Sequence, residues 1–153
     1  MSGQLRGFPR QDGRKGIRNV VAVAYLVECA HHVSREIVAE FRGEAVHLIG
    51  FPGCFPNAYA QDMMEKLTTH PNVGAVLLLS LGCESFNKYQ LSDVIKASGR
   101  PVHTLTIQND GGTRRTIEQG RAWVEEQLVA LRQAETVPMA LNELVIGTVC
   151  GGS

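Results

Sequence analysis

The feature that most limits what this chain can fold into is a regular alternation of two apolar patterns. "NVVAVAYL", from Asn19, is a continuous run rich in β-branched residues, as expected for a strand covered on both faces. "AHHVSREIVAEFR" follows it, with Val33, Ile37, Val38 and Phe41 at helical spacing. "AVHLIGF", from Ala45, reads as a second strand, and "NAYAQDMMEKLTTH" places Tyr59, Met63 and Leu67 on one helical face. "GAVLLLSL", from Gly74, is the clearest strand, and "YQLSDVIKAS" is a helix closed by Gly99 with Pro101 just beyond. "VHTLTIQ" is the fourth strand. "TRRTIEQGRAWVEEQLVALRQAE" is a long amphipathic helix with Ile117, Trp123, Leu128 and Leu131 inward, and "ELVIGTVC" reads as a fifth strand.

That order is (βα)4β. Strands joined through helices run parallel, and right-handed crossovers place helices on both faces. The expected fold is α/β: a three-layer open parallel sheet of about five strands, flavodoxin-like or Rossmann-like, in the order 2-1-3-4-5. A length of 153 residues suits a single domain with its own core. The division expected is a basic N-terminal arm, residues 1–18, followed by one α/β domain, residues 19–153.

Lys+Arg and Asp+Glu both number 15, so net charge makes no case for nucleic acid or an anionic membrane. No run approaches the length of a membrane span, and the N-terminus lacks the apolar core of a signal peptide, so a cytoplasmic chain is expected. Four cysteines in such a chain read as thiols or ligands rather than disulfides. The balance hides an asymmetry: Arg6, Arg10, Arg14, Lys15 and Arg18 share the first stretch with one acid, Asp12. This is either a solvated basic arm or an arm that folds over a carboxylate or phosphate.

In open parallel sheets, ligands bind outside the carboxyl ends of the strands. Strand 1 ends in Cys29, strand 2 in "FPGCF" with Cys54, and strand 3 in "LGCES" with Cys83 and Glu84. Strand 4 ends in "QNDGGT", and strand 5 in "VCGGS" with Cys150. A single cysteine is more often a small buried hydrophobe than a ligand, but this reading collects all four on one rim. Their spacings fit no zinc-ribbon or ferredoxin pattern, so the case rests on convergence. Gly111 and Gly112 allow a tight turn, and Thr113 is a suitable N-cap for the long helix. The free amides there, with Arg114 and Arg115, suit a bound carboxylate, against the plainer reading of a capped helix with exposed arginines. His31 and His32 lie near Cys29; His47, His103 and His70 read as structural.

Taken together, "GFPRQDGRKGIRN", "HPNVGAVLLLSLGCE", "TIQNDGGTRRTIEQG" and "GTVCGGS" resemble, in order, segments of the altronate and galactarate dehydratase family. The likeness runs from Gly7 to Ser153 and implies one central domain of a longer enzyme, cut where a further region begins. Two positions depart from the family pattern: Pro52-Gly53-Cys54-Phe55 replaces His-Gly-Cys-Gly, and Val149 replaces a glutamate before the last cysteine.

The resemblance implies elimination of water from a sugar acid such as altronate or galactarate to give a 2-keto-3-deoxy acid, a hydro-lyase reaction of carbohydrate catabolism. It implies a divalent metal, Fe2+ first and Mn2+ second, and no flavin or nucleotide. Proton loss alpha to a carboxylate builds an enediolate that needs positive charge, and the departing hydroxyl needs a proton. The candidates are Glu84 and Cys83 for catalysis, and Cys54, Cys83, Cys150 and Glu84 for the metal. Arg14, Arg18, Asn19, Gly111, Gly112, Thr113 and Arg114 are the candidates for substrate binding.

Expected partners are the small-molecule sugar acid and the remaining domain of the full enzyme or a partner subunit. A homo-oligomer is compatible with the sequence; nucleic acid and membrane are not expected. Two other readings stay open: a sulfolactate sulfo-lyase subunit, whose sulfonate would also suit the arginines, and a non-catalytic α/β module binding a ligand or partner. An FMN module would share the topology, but "VECAHHVS" is a poor phosphate loop.

Overall fold

The structure, a computed structural model, describes residues 5–152. Residues 1–4 of the expected arm and Ser153 of the Cys-Gly-Gly-Ser segment lie outside it. The elements are β1 (Arg6–Pro9), β2 (Lys15–Gly16), β3 (Val20–Tyr25), α1 (His31–Ala39), β4 (Val46–Gly50), α2 (Ala58–Thr68), β5 (Val73–Ser80), α3 (Lys88–Ala97), β6 (Val102–Thr106), α4 (Gly112–Arg132) and β7 (Val137–Pro138).

Strands β4-β3-β5-β6 form a parallel sheet in that order. This is the expected 2-1-3-4 arrangement. β5 is buried along its whole length, and β3 along all but its last residue, which is why both read as unbroken apolar runs. Alternate residues feed two cores. One joins Val21, Val23, Leu77 and Leu79 to Val33 and Ile37 of α1 and to Val124 and Leu128 of α4. The other joins Ala22, Ala24, Val76 and Leu78 to Met64 of α2 and to Leu91 and Ile95 of α3.

Two expectations fail. The inward face of α2 is Met64 and Thr68, not Tyr59, Met63 and Leu67, which are exposed. The helical period is as expected, but the stripe that faces the sheet is the one that carries Met64. The fifth strand is also missing. α4 does not carry the chain past β6; it packs beside α1, across β3 and β5. Its last residue, Arg132, pairs with Glu44 just before β4. The chain therefore emerges on the β4 flank, where Val137 and Pro138 pair with Gly7 and Arg6 of β1. From Leu144 to Gly152 there is no regular structure, and Val145, Ile146 and Val149 are 65%, 78% and 95% exposed.

The basic arm is not free: it forms a clasp at the amino ends of the strands, although Arg6, Arg14 and Arg18 stay exposed to solvent. β1 lies between β2 and β7 in a small antiparallel sheet. Arg10 donates from Nε to the Pro71 carbonyl (2.7 Å) and from Nη2 to Asn19 Oδ1 (2.8 Å). Arg14 bonds Asp12 and the Thr69 carbonyl. Buried Arg100 donates to the carbonyls of Val73 and His70 and comes within 3.8 Å of Asp12. Burial, and then the neighbouring charge of Arg100, bring Arg10 down to about 10, so it stays charged at neutral pH. A side chain at Gly16 would meet the Pro71 carbonyl oxygen at 2.1 Å, which explains a glycine there.

Candidate functional site

The carboxyl edge of the parallel sheet is built from four loops tied to one another by backbone hydrogen bonds. Ile107 N donates to Ser80 O (2.9 Å), Gln108 N to Leu81 O (3.1 Å), and Ser85 N to Cys54 O (3.0 Å). Cys29, Cys54 and Cys83 follow β3, β4 and β5 on this edge, each exposed and unpaired with another cysteine. Gly82 has φ +128°, a conformation side chains disfavour, and a Cβ there would lie 2.6 Å from Gln108 Oε1. The β5 and β6 loops are thus in close apposition.

Glu84 sits at the centre of a partly buried polar network. Its carboxylate accepts from the Ser80 hydroxyl and from Gly82 N (2.8 Å). Lys88, in the first turn of α3, donates to Ser80 Oγ and Thr106 Oγ1, both at 3.0 Å. Burial pushes the Glu84 carboxyl upward, but the Ser80 and Gly82 hydrogen bonds, one from its own amide, and the Lys88 charge outweigh it and hold the pKa below the ordinary value. Glu84 is therefore a carboxylate at neutral pH.

Sequence reading missed Ser80, Lys88 and Thr106. A signal existed for Lys88: a cation in the first turn opposes the helix dipole and calls for a compensating partner. Ser80 and Thr106 look like ordinary strand-end residues until the parallel register sets them side by side.

After β6, Asp110 accepts from Thr106 N, and Gly112 N donates to the Ile107 carbonyl. Gly111 and Gly112 both have positive φ, +90° and +83°, so the tight turn is as expected. The helix cap is Gly111 and not Thr113, which lies inside the first turn and makes no capping bond. Thr113, Arg114 and Arg115 are exposed there, beside a helix start whose amides lack intrahelical acceptors.

The remaining candidates are not brought to this edge. Arg14, Arg18 and Asn19 stand at the amino ends of the strands, where Asn19 is held by Arg10 and donates to the Leu131 carbonyl (3.1 Å). Arg18 instead lines a hollow with His47, His70 and Asn72. Cys150 follows Leu144 and Val145, which lie beside Lys15, Ile17 and His70–Asn72 at that same amino edge; its thiol donates to Gly152 O at 3.9 Å. The four-cysteine rim becomes three because the fifth strand does not form. Among the described residues no group of three His, Cys, Asp or Glu side chains is placed to hold a metal ion. This domain by itself does not bring together a ligand set for the metal that the resemblance implies.

Comparison with known proteins places these features. Residues 7–132 match the second domain of D-galactarate dehydratase/altronate hydrolase. The chain belongs to this family. It is 26% identical to altronate dehydratase of Escherichia coli (strain K12), across 98% of this chain and 32% of that protein. The Bacillus subtilis (strain 168) altronate dehydratase is likewise 26% identical, across 97% and 32%. The beta subunit of (2R)-sulfolactate sulfo-lyase from Chromohalobacter salexigens is 25% identical, across 96% and 38%. The chain thus spans about a third of the length of the relatives it matches. The span matched to the dehydratase second domain holds both the amino-edge clasp and the carboxyl-edge network, and it ends at the last residue of α4. Among the described residues no helix is long and apolar enough to cross a membrane.

Proposed function

We propose that this domain supplies one wall of the active site of a hydro-lyase that removes water from an aldonate or aldarate, such as altronate or galactarate, leaving a 2-keto-3-deoxy acid. The observation that carries this reading is an ionised Glu84 on a loop that abuts Gln108, in the loop that leads into the Gly111–Arg115 turn, on one edge of a dehydratase-family domain. The substrate carboxylate would sit at the α4 N-terminus with Arg114, an arrangement that favours anions. Glu84 would take the proton alpha to that carboxylate, and the nearby positive charge would stabilise the enediolate. Cys83 is the neighbouring side chain available to the departing hydroxyl. Arg14 and Asn19 leave the set of proposed substrate contacts, because both are committed to the amino-edge clasp.

The test is an assay of the full-length protein containing this domain, with altronate and galactarate, following the 2-keto-3-deoxy product. Glu84→Gln should lower turnover by about 10²–10⁴-fold. Normal turnover in that variant would remove Glu84 as the base, and inactivity of the parent on all sugar acids would remove the dehydratase reading. The likeness to a sulfo-lyase subunit supports a second reading, which sulfite release from sulfolactate would establish.

A further inference from the structure

The proposed chemistry leaves Lys88 without a task, yet this residue is the hub of the carboxyl-edge network. Its ammonium donates to Ser80 Oγ and to Thr106 Oγ1, at 3.0 Å each, and the Tyr89 ring lies 5.6 Å away. Ser80 and Thr106 are register partners at the ends of β5 and β6, and both are buried. Lys88 therefore bridges two strands and is held between two fixed points.

Counting donors and acceptors shows what the bridge does. An ammonium has three N–H groups and no acceptor. Lys88 can only donate to Ser80, so the single hydroxyl hydrogen of Ser80 is committed to Glu84, which accepts it at Oε1. Gly82 N donates to the other oxygen, Oε2, at 2.8 Å. Each carboxylate oxygen keeps a further lone-pair site, so Glu84 is fixed in orientation and can still take a proton. Without Lys88 nothing compels the Ser80 hydrogen toward Glu84, and the hydroxyl is free to rotate.

The other arm of the bridge reaches the glycine turn. Thr106 accepts from Lys88 at Oγ1, while its backbone N donates to the Asp110 carboxylate. One line of contacts thus runs Glu84–Ser80–Lys88–Thr106–Asp110 and ends one residue before Gly111. We propose that Lys88 is a positioning residue: acting through Ser80 and Thr106, it fixes the Glu84 carboxylate relative to the Gly111–Arg115 turn. It thereby sets the separation between the base and the bound carboxylate of the sugar acid. This role rests on the reading of Glu84 as the base.

A double-mutant cycle tests it, in the full-length protein containing this domain, with altronate and galactarate as substrates and circular dichroism to show the fold retained. Lys88→Met should lower kcat roughly 10- to 100-fold, as misplacement of a reacting group does, and leave KM within about twofold. Ser80→Ala should do the same. Adding Lys88→Met to Ser80→Ala should cost less than about threefold more, because the cation acts through that hydroxyl. A second readout needs no turnover: water exchange of the Gly82 amide, followed by NMR on the 153-residue chain, should quicken about threefold or more in both single variants as its bond to Glu84 loosens. If the parent acts on neither sugar acid, the lyase reading falls, and the Gly82 amide still decides whether Lys88 holds Glu84. An unchanged kcat in Lys88→Met, a loss confined to KM, fully multiplicative losses in the double variant, or an unchanged Gly82 amide would each overturn the proposal.

Discussion

The Lys88 ammonium donates to Thr106 Oγ1 across the seam between β5 and β6, at 3.0 Å, and to Ser80 Oγ at the same distance. Ser80 and Thr106 are buried, so without Lys88 two hydroxyls lose a charged donor and Glu84 loses its nearest cation. Replacing Lys88 by Met should cost about 1–3 kcal/mol, as for a partly buried hydrogen-bonded charge. Urea unfolding monitored by Trp123 fluorescence would measure it. An unchanged midpoint would mean that the network contributes nothing to stability.

Much of this was legible in the sequence where burial is two-sided. Unbroken runs such as "GAVLLLSL" can be little other than central parallel strands, whereas their order rested on the commonness of the flavodoxin-like arrangement and on no particular residue. The loops carrying Cys29, Cys54, Cys83 and Glu84 were placed on the correct edge because each follows such a strand. What failed were choices between equivalents. α2 has two apolar stripes, and its sequence alone does not say whether Met63 or Met64 faces the sheet. "ELVIGTVC" has the composition of a strand, but whether a strand forms depends on where α4 delivers the chain. Asn19 opens the first strand and so stands at its amino end by the strand assignment itself, whereas only the placement of the arm against Pro71 shows that Arg14 lies there too.

Two ionisable groups should give the stability profile separate acid windows. His70 Nδ1 accepts from Asn72 N at 3.1 Å, which requires the neutral ring. Burial, then the charges of Arg14 and Arg100, lower its pKa from the ordinary 6.5. The unfolded chain therefore binds the extra proton first, and stability that is full above 6.5 falls as pH drops through the folded-state value. Glu84 behaves in the same sense but lower, beginning near 4.5. His70→Gln should flatten the first decline and leave the second, whereas Glu84→Gln should leave the first and reduce the second, which Asp12 and Glu143, also lowered, share. Unfolding free energies measured at half-unit pH intervals would separate them.

Gly16 is the tightest point of the clasp. A methyl group there lands 2.1 Å from the Pro71 carbonyl oxygen and 3.0 Å from that of Arg18, and both are backbone atoms that cannot rotate away. Gly16→Ala should destabilise by about 1–3 kcal/mol, as overpacking does, and should release β2 first. Gly13 has open space around it but a φ of +82°, so Gly13→Ala reports backbone strain alone. Thermal unfolding of both variants, with amide exchange at Lys15 and Arg10, would separate collision from strain. If Gly16→Ala unfolds no earlier than Gly13→Ala, the clasp is looser than described.

The segment after β7 makes the opposite prediction. A fifth strand would bury Val145 and Val149, and replacing either by Ser would then cost as much as removing a core side chain, about 1–3 kcal/mol. In the observed fold both are mostly exposed, and no strand includes them. Val145→Ser and Val149→Ser should each change stability by less than about 0.5 kcal/mol, the usual range for surface positions. Val124→Ser supplies the contrast, since Val124 is fully buried between α4 and the sheet and should lose several times as much. A large loss at Val149 in the isolated chain would mean that the segment packs against the domain after all, and Cys150 would then return to consideration as part of a site.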